Sequence, residues 1–537
     1  EKLLLSMISR MQQGLYLFEG GSNKFVCKKN ENVVLGARIL NISQDFKQVV
    51  VRFTIKQQDK IIFLQEEKVL TTPRNLSDVT VSWKTKSVEN ECKIIVELIV
   101  DNAVYDNITH DINILGEKTA KPDEFVTVKG DNFYLKGEPW YPVAINYWPH
   151  FYPGLEPTDY WSGWLDKSIY DPLEVERDLS YLESMGINCL FTRLDGNVFD
   201  RSIQPLKDFL LRCERHGMKL GLSYCNASCP VNYSHEAMKK LIDEAGLAYN
   251  PTIFCYDIAW EIGYQFMDKL YIEYWDDEWA KWIAERYGSI ENAERDWGMP
   301  VSRKADGTIT APDPRLFRKD GAWRIMVAAY RRFMDDYISS LWNKAVNDIR
   351  KLDPNHLITY RQGPLSPQDV SFSATNKHID FVCPEGYHIT NDDDGFNIAC
   401  FSSRYLDHLT GGKPIVWSEY GTSLTGLAWK KNLQWDHDRI LPYESKIEEQ
   451  TSYMELFHKM IKETMVNGSA PWWWPGGFRR VEMSDFGIIG PDGVLRPAGK
   501  RYVEYVPVFK RPRSRPEPEV WVTVDRDAHA GGNWHIC

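Results

Sequence analysis

Cysteine is scarce, with ten residues in a chain of 537, which is too thin a supply for a disulfide scaffold. The closest pair, Cys225 and Cys229, has no second pair at matching spacing, so no zinc pattern arises and no metal is assigned. No run of about 18 apolar residues is present that could cross a bilayer as a helix. A basic excess is missing too: 75 acidic residues face 64 basic ones, a net charge of −11. That balance lacks the electrostatic footprint by which nucleic acid or an anionic membrane surface is bound. The apolar core of a signal peptide is absent from the segment after Glu1. The expectation is therefore a removed leader or a chain cut from a longer gene, with a secreted, periplasmic or cell-surface location. Asn-x-Ser/Thr sequons at Asn41, Asn75, Asn107, Asn226, Asn232 and Asn467 do not settle the compartment.

Aromatic residues are plentiful, at 13% with 20 Trp. Such a supply suits stacking against the flat apolar faces of sugars, and equally a Trp-rich core. The length predicts about two to four domains, enough to bury a large core without covalent staples.

Residues 1–120 read as an all-β sandwich of immunoglobulin-like type. From Val51 to Lys56 apolar and polar residues alternate, and Val79 to Trp83 and Lys93 to Val100 repeat the pattern, as a sheet with one buried face requires. The polar stretch Gly116 to Asp123 ends that style of sequence.

Over residues 121–507 strands alternate with helices, the grammar of parallel strands joined by crossovers. The expected strands are Tyr141 to Trp148, Ile187 to Thr192, Met218 to Tyr224, Ile253 to Trp260, Leu357 to Arg361, Phe381 to Pro384, Pro414 to Trp417 and Ala470 to Trp474. Asp171-Pro172 opens a helix with apolar Leu173, Val175, Leu179, Leu182 and Met185, stopped by Gly186. Eight strands with intervening helices predict a (β/α)8 TIM barrel of the α/β class. No glycine-rich phosphate loop follows the first strand, which disfavours nucleotide binding. An insertion over about 264–325 carries Trp275, Trp279 and Trp282 at helical spacing, a pattern that packs a subdomain more readily than it meets substrate. Residues 508–537 read as a Pro-rich linker and the start of a further β segment that either continues or docks back on the body.

A TIM barrel builds its active site at the C-terminal ends of the strands. Two of them expire on a glutamate: Glu261 after Ile253 to Trp260, and Glu419 after Pro414 to Ser418. Either carboxylate alone is as well explained by a structural salt bridge, because an unpaired buried charge is costly. Together they lie across the barrel mouth and can flank one scissile bond. Glycoside hydrolysis uses such a pair, one acid protonating the leaving oxygen and one carboxylate attacking the anomeric carbon, with retention at a separation of roughly 5 Å.

These positions resemble clan A of the glycoside hydrolases, over residues 125 to 505. The resemblance implies that Glu261 is the acid/base and Glu419 the nucleophile, with no metal or organic cofactor. It implies that Arg193 orients the nucleophile and that Tyr387 hydrogen-bonds it. One tryptophan of Trp472 to Trp474, either Trp474 or Trp473, becomes the platform under the sugar. The stretch Arg286 to Trp297 is loosely similar to an element of clan members that trim β-galactosides. One departure stands out, since the clan carries Asn before the acid/base and this chain carries Trp260. Either Asn226 or Asp195 then reads the sugar 2-hydroxyl, or the substrate is recognised differently. Asp257 lies on the inward side as a structural partner for Arg361 or Arg193. Trp148, His150, Glu385 and His388 are further cleft candidates with scaffold roles equally open, as are Tyr160, Trp161 and Trp164 as a wall.

The expected function is a retaining β-glycosidase or endo-glycanase acting on a β-linked poly- or oligosaccharide, with the sandwich as accessory module. The alternative is a carbohydrate-binding protein that kept the cleft and lost turnover, favoured by Trp260 and opposed by the presence of both glutamates. A transglycosylase differs only in the acceptor. Sugar identity, linkage and exo or endo action are not encoded legibly.

Overall fold

In the computed structural model, the described residues are 14–85, 90–115, 120–150, 163–194, 199–224, 233–260, 275–313, 315–316, 321–362, 376–387, 389–425, 443–479 and 484–510, with the single positions 5, 8, 11, 12, 514, 515 and 519. The chain forms two compact units, residues 1–119 with Ile203–Phe209, and residues 120–202 with Leu210–Cys537.

The first unit contains two sheets. One has the strand order β1 (Leu15–Ser22), β3 (Asn32–Asn41), β6 (Asn75–Lys84). The other runs β2 (Val26–Lys28), β8 (Ala103–Leu115), β7 (Asn90–Val100), β4 (Lys47–Gln57), β5 (Lys60–Thr71). The alternation that predicted the sandwich is what fills it: Val49, Val51, Phe53 and Ile55 of β4 and Cys92, Ile94, Val96 and Leu98 of β7 share one core with Val33, Leu35 and Ile39 of β3.

In the second unit a small antiparallel sheet, β9 (Thr127–Lys129), β10 (Asn132–Leu135) and β11 (Glu138–Trp140), precedes the barrel. Parallel strands β12 (Ala144–Asn146), β13 (Cys189–Leu194), β14 (Lys219–Tyr224), β15 (Ile253–Asp257) and β16 (Leu357–Thr359) pair in chain order. The next strand continues as β17 (Arg361–Gln362) beside β18 (Cys383–Pro384), and β19 (Val416–Trp417) pairs with β20 (Gly468–Ser469). Parallel bridges Val382 to Ile415 and Val143 to Ser469 join the remaining neighbours and close the ring. The eighth strand thus begins at Gly468, two residues before the expected Ala470, and ends at Ser469. The Tyr502 hydroxyl, from the helix Pro497–Phe509, donates toward the carbonyls of Ala144 and Ser469 at 2.6 and 3.0 Å, tying the last strand to the first.

The helices follow their local signals. Asp171 caps Pro172–Ser184 by accepting from the amides of Leu173 and Glu174, and Gly186 adopts the left-handed φ of 80° just after it. Val175, Leu179 and Leu182 are buried, whereas Leu173 is 73% exposed, because the first turn of this helix faces away from the sheet. In the insertion Trp279 stacks on Trp297 at 5.8 Å and on Trp282 at 5.5 Å, so these rings build a subdomain core. Among the few described residues of the tail, Arg515 donates to the Lys413 carbonyl and to Asn467 at 2.8 and 2.9 Å, and pairs with Asp407.

The barrel interior is layered. Ala144, Cys189, Cys255, Leu357, Cys383, Val416 and Ala470 share one apolar cluster, plugged by Phe133 packed edge-on against Phe254 and Phe381. Gly221 of β14 lets Phe191 enter, since a Cβ there would lie 2.4 Å from that ring. Two residues further along three of these strands the next inward side chains are Asn146, Asp257 and Glu385, and four residues beyond Leu357 comes Arg361, so the interior turns from apolar to charged.

His458, on the helix Tyr443–Thr464, is wholly buried against Tyr502, Tyr505 and Phe509, and neither ring nitrogen has a hydrogen-bond partner among the described residues. Burial pushes its pKa down to about 3. The unfolded chain binds a proton near pH 6.5 and the folded chain resists it, so this contribution to stability is complete above about 6.5 and shrinks as pH falls. Between pH 7 and pH 5 the wild type should lose roughly 2 kcal/mol more than His458→Leu, read from urea unfolding of the barrel. Equal losses would contradict the assignment.

Candidate active site

Arg361 is the hub of the polar layer. The strand run 357, 359, 361 puts its side chain on the inward face above Leu357 and Thr359. Fully buried, it donates from Nε to Asp257 Oδ2 at 2.6 Å and from Nη1 to Asn146 Oδ1 at 2.7 Å and Glu419 Oε1 at 2.6 Å. Asn146 is held in turn by donating to the carbonyl of Ser418 at 2.8 Å and to those of Ala470 and Pro471, both at 3.2 Å. Burial alone would lower the Arg361 pKa, but the charges of Asp257, Glu419 and Glu385 hold it above its ordinary value, so it is a fixed cation. Burial pushes Asp257 up from the usual carboxylate range while Arg361 pulls it back.

Glu419 is buried just past β19. Its backbone pairs with that of Glu385, and its carbonyl accepts from the Gly386 amide at 2.7 Å. The second carboxylate oxygen accepts from the Tyr387 hydroxyl at 2.9 Å. Both oxygens are therefore engaged, one by a cation and one by a neutral donor, which fixes the carboxylate's position and favours its ionised form.

Arg193 was expected on Glu419; the described bond to Glu419 comes from Arg361, whose strand resumes at β17 for two residues. Arg193 instead lies 5.3 Å from the centre of the Trp260 ring. The Trp474 ring packs edge-on against Tyr181 of the helix Pro172–Ser184, at 5.7 Å. Trp473 stacks on Trp472 at 5.2 Å and lies under the Arg479 guanidinium at 4.2 Å. Trp472, joined to Trp473 by a cis peptide bond, is the ring that reaches Trp260, edge-on at 6.0 Å. Trp148 is buried against Trp472 and Trp473. His150 is tied to the Gly490 carbonyl at 2.7 Å, and its amide donates to Asp178. Burial raises the Asp178 carboxyl to about 6. Glu385 is buried beside the cluster and adds its charge to the field on Arg361. Glu261, Asn226, Asp195 and His388 lie outside the described residues, as do Tyr160 and Trp161; Trp164 is buried against Tyr147.

Residues 211–440 match the glycoside hydrolase family 42 profile, described as "Beta-galactosidase". That span holds Glu261, Arg361 and Glu419. The matched stretch lies within the barrel and covers less than half of the chain. No curated protein matches the chain. Among solved structures, the chain resembles a putative β-galactosidase from Bacteroides fragilis at 12% identity and TM-score 0.41, over 91% of this chain and 60% of that one. It also resembles a Bacteroides uniformis β-glucuronidase at 13% identity and TM-score 0.42, over 91% and 50% of the two chains. A third likeness is to a β-galacturonidase from Eisenbergiella tayi bound to galacturonate, at 10% identity and TM-score 0.42, over 92% and 73%. The chain spans 60% and 50% of the lengths of the first two.

Removing Arg361 strands Asp257 and Glu419 in a dry interior. Arg361→Met should cost about 3–5 kcal/mol in urea unfolding, and adding Asp257→Leu should recover part of the loss. A single variant within about 1 kcal/mol of wild type would show that the guanidinium does not neutralise the layer.

Proposed function

We propose that the chain is a retaining β-glycoside hydrolase, with a β-galactoside the first substrate to try. The observation that carries this reading is Glu419, buried at the barrel mouth and held by Arg361 and Tyr387 at 2.6 and 2.9 Å. The substrate class comes from the description of the matching family profile and rests on that description alone.

In this reading Glu419 is the nucleophile. Arg361 keeps it ionised, and the fixed hydrogen bonds limit its rotation, so the attacking oxygen is pre-aimed and little reorganisation is needed. Attack at the anomeric carbon forms a glycosyl ester on Glu419 and breaks the bond to the leaving oxygen. That oxygen takes its proton from Glu261, which follows Trp260 directly in the chain. Glu261, now a carboxylate, takes a proton from water as the water oxygen attacks the anomeric carbon and releases Glu419. As charge leaves Glu419 in the first step, the Tyr387 hydrogen bond weakens. It strengthens again when the carboxylate is regenerated, which helps the second step.

Glu419→Gln keeps the shape and removes the nucleophile. Release of aryl alcohol from an aryl β-galactoside, with the β-glucoside and β-glucuronide beside it, should fall by at least about 10³-fold in the variant while the wild type turns over one of the three. Saccharide binding by both proteins with turnover by neither would replace this reading with that of a binding protein.

A further inference from the structure

Arg361 has an unusual fourth neighbour. Its Nε and Nη1 are used by Asp257, Asn146 and Glu419, and among the described residues no acceptor meets Nη2. The face of the guanidinium lies instead over the Trp260 ring, 3.9 Å from its centre, with Phe191 at 5.1 Å. Trp260 is also edge-on to Trp472 and near the Arg193 guanidinium. An indole face attracts a cation most strongly where water is excluded, and it leaves the in-plane hydrogen bonds of the guanidinium undisturbed. The residue immediately before Glu261 thus touches the cation that holds Glu419.

We infer that Trp260 is a positioning residue that acts through Arg361, clamping the guanidinium in the plane from which it holds Glu419 and keeping water off the Arg361–Glu419 pair. The inference rests on the proposed role of Glu419 for its catalytic consequence, though not for its physical content. Without the ring, Arg361 gains a route to solvent and its hold on Glu419 loosens. Among the described residues, the other charged or titratable groups facing this pair are Asp257 on β15, Glu385 and Tyr387 past β18, and Arg193 on β13; Arg193 itself lies 5.3 Å from the centre of the Trp260 ring, so a change at Trp260 also frees that cation. The indole makes no hydrogen bond to Glu419 itself, so its effect on that carboxylate is transmitted.

The test uses two substitutions and two readouts. Trp260→Leu removes the π face, and Trp260→Phe keeps a weaker one. Infrared titration of the carboxyl band, taken as the difference between each protein and its Glu419→Gln counterpart, follows Glu419 without any turnover. Trp260→Leu should move that titration upward by roughly half to one pH unit, and Trp260→Phe by less. The acid limb of kcat/KM should move with it, with kcat falling more than KM rises. An unmoved Glu419 titration in both folded variants overturns the inference, whether or not the protein hydrolyses glycosides. A rise in KM alone, with the titration fixed, overturns it in favour of direct sugar contact. Should Trp260→Leu fail to fold, the Trp260→Phe titration decides. Absence of turnover in the wild type, with the titration shifted as expected, rejects the proposed function and leaves the inference standing.

Discussion

The described interior of the barrel depends on one buried ion cluster. Arg361 faces Asp257, Glu385 and Glu419, three buried carboxylates that share one cation. Burying a carboxylate costs several kcal/mol unless a partner and hydrogen bonds compensate it. Here the compensation is geometric: β12 supplies Asn146, β15 supplies Asp257, and the two-residue continuation of the fifth strand as β17 supplies the guanidinium between them. The same bonds that make the cluster tolerable hold the Glu419 carboxylate at a fixed place. Stability and chemistry are therefore coupled at this point, and a change at Arg361 is felt in both.

Much of this was legible in the sequence, because strand alternation is a strong constraint. A barrel strand that begins apolar and ends on a charged residue places that residue inward at the mouth. That logic put Glu419 and Asp257 inward, with Arg361 or Arg193 as the partner of Asp257 and Arg193 on Glu419. The described bonds to both carboxylates come from Arg361, and the choice among inward arginines depends on how far each strand runs before it bends. β13 stops at Leu194, one residue after Arg193, whereas β17 carries Arg361 directly over the apolar layer. Asn146 carried a signal that went unread, an amide inside the apolar run Val143 to Trp148 that needs partners once buried.

The tryptophans teach a different lesson. Composition could not separate core from cleft, and the rings divide between the two. Trp279 and Trp297 stack in the insertion, and Trp474 turns to the helix Pro172–Ser184. Trp472, Trp473 and Trp260 are grouped with Arg479, Arg193 and Arg361. Runs such as Trp472 to Trp474 defeat alternation because the chain leaves the strand at Ser469, and beyond that point side-chain direction follows the loop. The sandwich was easier to read, since its strands β3, β4 and β7 keep period two over most of their length and their inward residues meet one core.

The most direct test of the central claim is to trap the covalent ester. A mechanism-based fluoroglycoside that forms a slowly hydrolysed glycosyl-enzyme should add one sugar mass to the intact protein, and peptide mapping should place it on Glu419. The Arg361→Lys variant should label at the same residue and more slowly, because a point charge cannot hold the carboxylate through the same planar set of bonds. Labelling at any other carboxylate, or labelling at Glu419 at the wild-type rate in Arg361→Lys, would contradict the account.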